Sequence, residues 1–254
     1  MSGNEYIQST LNRYKVSTGN GSAAYKAGNA LYTIIQTWAG TQLQKVSFSG
    51  SYAKGTAIRG NTDVDLFISL KSDTTNTLKD IFKLLYDEMK RQGYNPRKQH
   101  VSIHVNGSGV DVDLVPGVNY SGNTAYHWLY VNKPNRERVQ TNIDKHINIV
   151  RNSGRNDEIR AMKIWKNVHG LEFPSFYLEL VVIEALRGWR TGQIATNVMH
   201  VLGYLANNFL NTRFVDPANS NNIISGDLTT GEKRVIVEKA NESLEKQYWK
   251  DIIW

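Results

Sequence analysis

The sequence contains no cysteine, and that absence removes structural disulfides, thiolate-bound zinc and a cysteine nucleophile together. Any metal must be held by oxygen or by histidine. No uninterrupted run of about 18 apolar residues occurs, so no membrane span is expected. The polar stretch Met1–Arg13 lacks the apolar core of a secretory signal, and the expected location is the cytoplasm. Prolines number only five, and no internal repeat or low-complexity tract stands out. Acidic residues are outnumbered: 30 Lys and Arg stand against 23 Asp and Glu, a formal net charge of +7 with a pI near 9.4. That balance favours polyanionic partners such as nucleotides or nucleic acid without choosing among them. With 40% hydrophobic and 21% charged residues in 254, a folded core is expected, in one large domain or two small lobes.

Hydrophobic periodicity changes along the chain. Up to about residue 130, helical segments are mixed with alternating, strand-like runs at Val46–Ser49, Val64–Leu70, His100–Val105 and Val110–Val115. From Asn135 onward helical spacing dominates Arg136–Val150, Asp157–Val168, Phe176–Trp189, Ile194–Phe209 and Thr230–Tyr248, with one candidate strand at Asn222–Ser225. Capping signals agree: Thr77 precedes a helix through Lys90 that Gly93 stops, Pro174-Ser175 opens another, and Ala23–Trp38 carries one apolar stripe ending at Gly40. The expected organisation is α+β in two lobes sharing a cleft, residues 1–132 with a bracing N-terminal helix and residues 133–254 as a helical bundle.

The segment Ser47–Leu70, SFSGSYAKGTAIRGNTDVDLFISL, carries the chemistry. A strand runs into Gly50-Ser51, and the residues after it form a short helix whose first N–H groups point beyond the strand end, where a phosphate is favoured. Asp63 and Asp65 stand two apart on the next strand and face one side, while Val64, Leu66 and Ile68 enter the core. Carboxylates spaced ~7 Å along a strand suit a pair of hard cations and otherwise repel. Gly109–Pro116, GVDVDLVP, repeats the arrangement with Asp111 and Asp113. If the strands are neighbours, three or four carboxylates converge and call for divalent metal.

Gly50-Ser51, Gly55-Thr56, Asp63-x-Asp65 and an Asp before Leu-Val-Pro together resemble the nucleotidyltransferase superfamily that includes DNA polymerase beta. Within it, GSYAKGTAIRGNTDVDLFI is similar to the archaeal-type CCA-adding enzymes, the 2′-5′-oligoadenylate synthetases and the bacterial cyclic-oligonucleotide synthases (CD-NTases) related to cyclic GMP-AMP synthase. The resemblance implies a polymerase-beta-like core with a mixed sheet in residues 1–132 and a helical lobe in 133–254. It implies that Gly50 and Ser51 hold the triphosphate, and that Asp63, Asp65 and Asp113 are catalytic and hold two Mg²⁺ (Mn²⁺ being the substitute). Asp111 competes with Asp113, which has the family's Leu-Val-Pro context. Ile159–Leu186 is similar to the family's Arg-x-x-Lys-x-Trp helix and the Ser-led helix after it. Lys163 and Ser175 then match triphosphate contacts, Lys166 acts in place of or beside Lys163, Tyr177 and Trp165 stack on a base or lie in the core, and Glu179 supports a basic neighbour. Lys54 and Arg59 approach phosphate or remain solvated. Asp216–Asn222 resembles a late segment of the same enzymes, or is a plain turn. The six histidines show no zinc spacing and read as structural, and the basic stretch Arg151–Arg160 reads as a solvated turn.

The implied reaction is attack of a hydroxyl on the α-phosphate of a nucleoside triphosphate such as ATP, with pyrophosphate leaving. The chain reaches Trp254 without residues for the RNA-binding domains of tRNA repair, and without cysteines for a zinc-bearing DNA sensor. The expectation is therefore a compact, monomeric synthase of a cyclic or linear oligonucleotide second messenger in anti-phage signalling. Addition to an RNA 3′ end, with RNA as partner, is the alternative.

Overall fold

Alternation turns Val64, Leu66 and Ile68 to one side of β2 (Val64–Leu70), where all three are buried, and the same period acts in β5 (Val110–Tyr120). The two strands run parallel, with Val64 beside Val112 and Asp65 beside Asp113. β1 (Leu43–Phe48) lies antiparallel to β2. β4 (Ile103–Gly107) pairs with the first half of β5, and β3 (Arg97–Lys98) lies beyond it. β6 (Asn123–Lys133) takes the second half of β5, and β7 (Arg136–Thr141) pairs with β6. The computed structural model describes residues 1–60, 63–107, 109–120, 123–133 and 136–254, and among these seven strands form one mixed sheet.

Two helices cover the buried side. α2 (Ala23–Ala39) contributes Leu31 and Ile35, and α4 (Leu78–Arg91) contributes Ile81, Phe82, Leu85 and Met89, to a core shared with Val64, Leu66, Ile68, Val112 and Leu114. Thr77 caps α4 by accepting from the Asp80 N–H, and Gly93 follows its end at φ +86°. This side of the sheet is sealed, so the chemistry is confined to the other.

The chain divides into two compact units: Ser17–Lys54 with Thr62–Ile147, and Met1–Val16 with Gly55–Asn61 and Asn148–Trp254. The second unit is helical. α1 (Gly3–Arg13), α6 (Asn156–Val168), α7 (Ser175–Ala185), α8 (Ile194–Asn207) and α9 (Thr230–Leu244) share one core through Leu11, Met162, Trp165, Leu178, Leu202 and Ile236. The Tyr6 hydroxyl donates to the Ile253 carbonyl at 3.1 Å, which fastens α1 to the last residues of the chain.

The division differs from the split at 132/133. α5 (Ile143–Asn152) carries the boundary, β7 stays with the sheet, and the N-terminal helix belongs to the helical unit. The expected helix over Arg136–Val150 is strand up to Thr141, because Val139 pairs with Leu129 in a ladder that overrides the helix preference of Arg and Glu. The expected strand at Asn222–Ser225 is instead a short 3-10 turn at Ile224–Gly226. Among the described residues no helix is long and apolar enough to cross a membrane.

Candidate active site

Register places the acids. Asp65 on β2 lies beside Asp113 on β5, and His104 on β4 lies on the other side of Asp113, so three polar side chains form a row on the face opposite the sealed core. Asp63, directly before β2, joins them: Asp63, His104 and Asp113 each present one ligand atom, all within 4.8 Å of one another. His104 Nδ1 is 3.1 Å from Asp113 Oδ1, and its Nε2 is 3.2 Å from Asp111 Oδ1. The Ser102 hydroxyl donates to Gln99 Oε1 at 2.6 Å and lies 3.4 Å from Asp113 Oδ2, and Asn106 Nδ2 donates to Asp111 Oδ1 at 2.9 Å. Burial pushes the Asp113 carboxyl above the usual range, the His104 hydrogen bond pulls it back, and the Asp63 charge raises it further. Asp111 is exposed at the rim.

The turn after β1 is shaped around Asp65. The Ser49 N–H donates to the Asp65 carbonyl at 2.8 Å, and Gly50 follows at φ +55°. A Cβ on residue 50 would lie 1.7 Å from Asp65 Oδ2, so only glycine leaves room for that carboxylate. Gly50 opens the short helix α3 (Gly50–Lys54), with Ser51 half-buried in its first turn and Lys54 buried at its end.

An oxygen-rich donor set of this kind, with one imidazole, fits a divalent cation: carboxylates satisfy a hard ion, and the row would be self-repelling without one. Asp63, Asp65 and Asp113 are the residues that would hold it, with His104 as a further candidate donor.

The remaining expected site residues lie in the helical unit. Lys163 is buried, with Nζ donating to Glu179 Oε1 at 2.7 Å and to Thr56 Oγ1 at 3.0 Å. Thr56 Oγ1 in turn donates to Glu179 Oε1 at 2.7 Å. Lys166 is half-buried, and its ammonium is pushed down by burial and by the Lys163 charge. Ser175 is exposed as the first residue of α7, with Pro174 in the cap position. Tyr177 requires a correction: its ring has no exposure and packs against Phe173, Phe209 and Phe214, so it is core and offers no face to a base. Trp165 is likewise core, with Nε1 donating to Ser243 at 2.9 Å. The exposed Arg59 gives its N–H to the Tyr14 carbonyl. In the Asp216–Asn222 loop the Asp216 carboxylate accepts from the Ala218 N–H and from Asn222 Nδ2.

The sequence pattern reads His104 as structural, whereas the structure sets it beside Asp113. The signal was present: Ile103 and Val105 are apolar neighbours on a strand, which turns His104 to the opposite face. Only the pairing of β4 with β5 reveals that this face holds Asp113.

Residues 1–153, more than half of the chain, match the Second Messenger Oligonucleotide or Dinucleotide Synthetase domain. The chain belongs to this synthetase family. The synthetases lie within the nucleotidyltransferase superfamily, and the mixed sheet with flanking helices is the polymerase-beta-like fold. The chain is 28% identical over 158 residues to a cyclic AMP-AMP-AMP synthase of Escherichia coli strain MS 115-1, a match covering 57% of this chain and 49% of that protein. It is 30% identical over 167 residues to the CCA-adding enzyme of Saccharolobus shibatae, covering 56% of this chain and 36% of that enzyme. The chain therefore spans about half or less of the length of those two relatives. Among solved structures, E. coli MS115-1 CdnC with ATP superposes with a TM-score of 0.70 at 21% identity, covering 95% of this chain and 85% of that one. Bradyrhizobium diazoefficiens CdnG with GTP gives 0.76 at 10% identity, covering 96% and 92%. At these identities the superpositions establish the shared fold.

Proposed function

We propose that this synthetase joins nucleoside triphosphates, ATP among them, into a cyclic or linear oligonucleotide second messenger with release of pyrophosphate. The observation that carries the reading is the row of Asp65, Asp113 and His104 with Asp63 on the open sheet face, beside a glycine turn built to admit the Asp65 carboxylate. Antiviral signalling as the setting is supported by likeness to an E. coli protein named CBASS oligonucleotide cyclase CdnC, 21% identical over 237 residues, covering 79% of this chain and 75% of that one. The reading takes the protein to act as a cytoplasmic monomer.

In the proposed reaction a hydroxyl oxygen of the acceptor forms a bond to the α-phosphorus of the donor, and the bond from that phosphorus to the α,β-bridging oxygen breaks. Asp113 is proposed to take the hydroxyl proton, with His104 beside its carboxylate at 3.1 Å supporting that role. Mg²⁺ or Mn²⁺, a pair in the proposed site, would lower the pKa of the attacking hydroxyl and offset charge on the departing pyrophosphate. Asp63 and Asp65 serve as fixed oxygen donors. Gly50, Ser51 and the first N–H groups of α3 are proposed to bind triphosphate oxygens. In the helical unit Lys163, Lys166 and Ser175 are proposed as further anion contacts, with Glu179 fixing the Lys163 ammonium beside Thr56.

The test is product analysis after incubation with all four nucleoside triphosphates and Mg²⁺ or Mn²⁺, with and without tRNA. A small phosphatase-resistant product is expected for a cyclic messenger. Label entering only the added tRNA would replace this reading by RNA 3′-end addition.

A further inference from the structure

Three carboxylates suit a hard cation without help from nitrogen, yet an imidazole stands among them. His104 is 5% exposed, and one edge of its ring lies between two carboxylates: Nδ1 is 3.1 Å from Asp113 Oδ1, and Nε2 is 3.2 Å from Asp111 Oδ1. A neutral ring carries one N–H, so one carboxylate receives a hydrogen and the other faces a ring lone pair. The Asp111 side is the one built to receive. The Gly109 N–H donates to Asn106 Oδ1 at 3.1 Å, which turns Asn106 Nδ2 to Asp111 Oδ1 at 2.9 Å and fixes that carboxylate beside Nε2. With the hydrogen on Nε2, Nδ1 presents its lone pair to Asp113 Oδ1, and the two repel unless a positive charge stands between them.

A second ring proton or a metal ion supplies that charge, and Asp63 distinguishes the two. A proton between Nδ1 and Asp113 needs no third partner, whereas Asp63 brings a ligand atom within 4.8 Å of both. Neighbouring ligands of an octahedral ion held at ~2.1 Å stand ~3 Å apart, the spacing already present between Nδ1 and Asp113 Oδ1. An imidazole that binds metal through one nitrogen usually gives its other N–H to a carboxylate, which locks the ring and strengthens the donor. Asp111 is in that position. Nitrogen also changes which ion is held. Mg²⁺ prefers oxygen throughout, while first-row divalent ions, Mn²⁺ among them, take imidazole as well.

We propose that His104 Nδ1 is a nitrogen ligand of the cation held by Asp63 and Asp113, that Asp111 orients the ring through Nε2–H, and that this nitrogen makes the site prefer Mn²⁺ to Mg²⁺. The two acids of Asp111-x-Asp113 then have different tasks: Asp113 binds the ion, and Asp111 is a positioning residue. The inference rests on the metal-dependent reading above and names the ion which that reading leaves open.

The test is pulsed electron paramagnetic resonance of Mn²⁺ bound to the full chain, unlabelled and with ¹⁵N-histidine. Mn²⁺ and Mg²⁺ affinities are measured by calorimetry, and pyrophosphate release is followed, on the same preparations. The spin-echo modulation is expected to show directly bound histidine nitrogen in the wild type and to lose it in His104→Gln. That variant should weaken Mn²⁺ about ten-fold and Mg²⁺ by less than about two-fold. Asp111→Asn, at an exposed position, should keep the nitrogen signal and weaken Mn²⁺ about ten-fold. The wild-type spectrum decides nitrogen coordination without any variant, so a folding defect in His104→Gln does not shield the proposal. No bound Mn²⁺, Mn²⁺ without nitrogen coupling, a coupling that survives His104→Gln, or equal losses of Mn²⁺ and Mg²⁺ in that variant overturns it, and wild-type Mn²⁺ affinity in Asp111→Asn overturns the role of Asp111. If pyrophosphate release is intact in those cases, the nitrogen ligand and its orienting acid alone have failed. Nitrogen-coupled Mn²⁺ in a chain that releases no pyrophosphate upholds the ligand and overturns the synthase reading.

Discussion

A methyl group on residue 50 would lie 1.7 Å from Asp65 Oδ2 and 3.0 Å from its Cβ. Gly50→Ala must therefore displace the carboxylate, besides straining a backbone at φ +55° by about 1–2 kcal/mol. The account predicts a loss of pyrophosphate release of about 10²-fold, the usual cost of a misplacement near 1 Å, with a folded protein by circular dichroism. Asp113 gives a second expectation at this scale. Its carboxyl is raised by burial and by Asp63, so a proton competes with a cation for it more effectively than for an ordinary aspartate. Mn²⁺ affinity, measured by calorimetry or electron paramagnetic resonance, should weaken as pH falls through that raised value, and Asp113→Asn should bind more weakly with a flatter pH dependence. The acid pairs were legible because Asp-x-Asp alternates with Val and Leu, which fixes their face without any pairing information. His104 was not legible as part of the site, because its role comes from the register of β4 on β5, a contact that no local pattern encodes.

At the scale of elements, α6 and α7 are tied by a buried ion pair rather than by apolar packing alone. Glu179 Oε1 receives hydrogens from both Lys163 and Thr56, and both charged side chains are almost fully buried. Glu179→Ala leaves a buried ammonium without its carboxylate and should cost about 3–5 kcal/mol in urea unfolding. Glu179→Gln, which keeps an acceptor oxygen, should cost less. Periodicity read most of the helices here because each has a cap or an apolar stripe, as with Thr77 before α4. It failed for β7, whose Arg, Glu and Gln favour a helix, and whose strand state is imposed by β6 alongside. Tyr177 shows the opposite limit: an aromatic in an all-round apolar helix is core, and only the enclosing rings of Phe173, Phe209 and Phe214 distinguish that from a base platform.

For the whole molecule, two histidines contribute to the acid side of the stability profile. Burial holds the His127 and His169 imidazoles below their ordinary pKa in the folded chain. The unfolded chain therefore takes up protons first, from about pH 6.5 downward, and stability is lost as pH falls through that value toward the depressed folded values. Urea midpoints should be flat above about pH 7.5, fall toward pH 5.5, and lose most of that slope in a His127→Asn, His169→Asn double variant. The two-unit organisation was legible as a shift from mixed to helical periodicity, whereas the boundary inside α5 and the transfer of α1 to the helical unit depend on long-range packing such as Tyr6 on Ile253. The net charge of +7 favoured an anionic partner and went no further; the acid row, at first sight contrary to that charge, is what the proposed chemistry rests on.

Asp63, Asp65 and Asp113 are proposed to form one metal-dependent nucleotidyl-transfer centre. Its most direct test is pyrophosphate release from ATP and GTP with Mg²⁺ or Mn²⁺ by the wild-type chain, Asp65→Asn and Asp113→Asn, with melting temperatures recorded alongside. Metal-dependent release is expected from the wild type, with a fall of at least about 10³-fold in each variant and the fold retained. Wild-type rates in either folded variant, or release that persists in excess chelator, would contradict it.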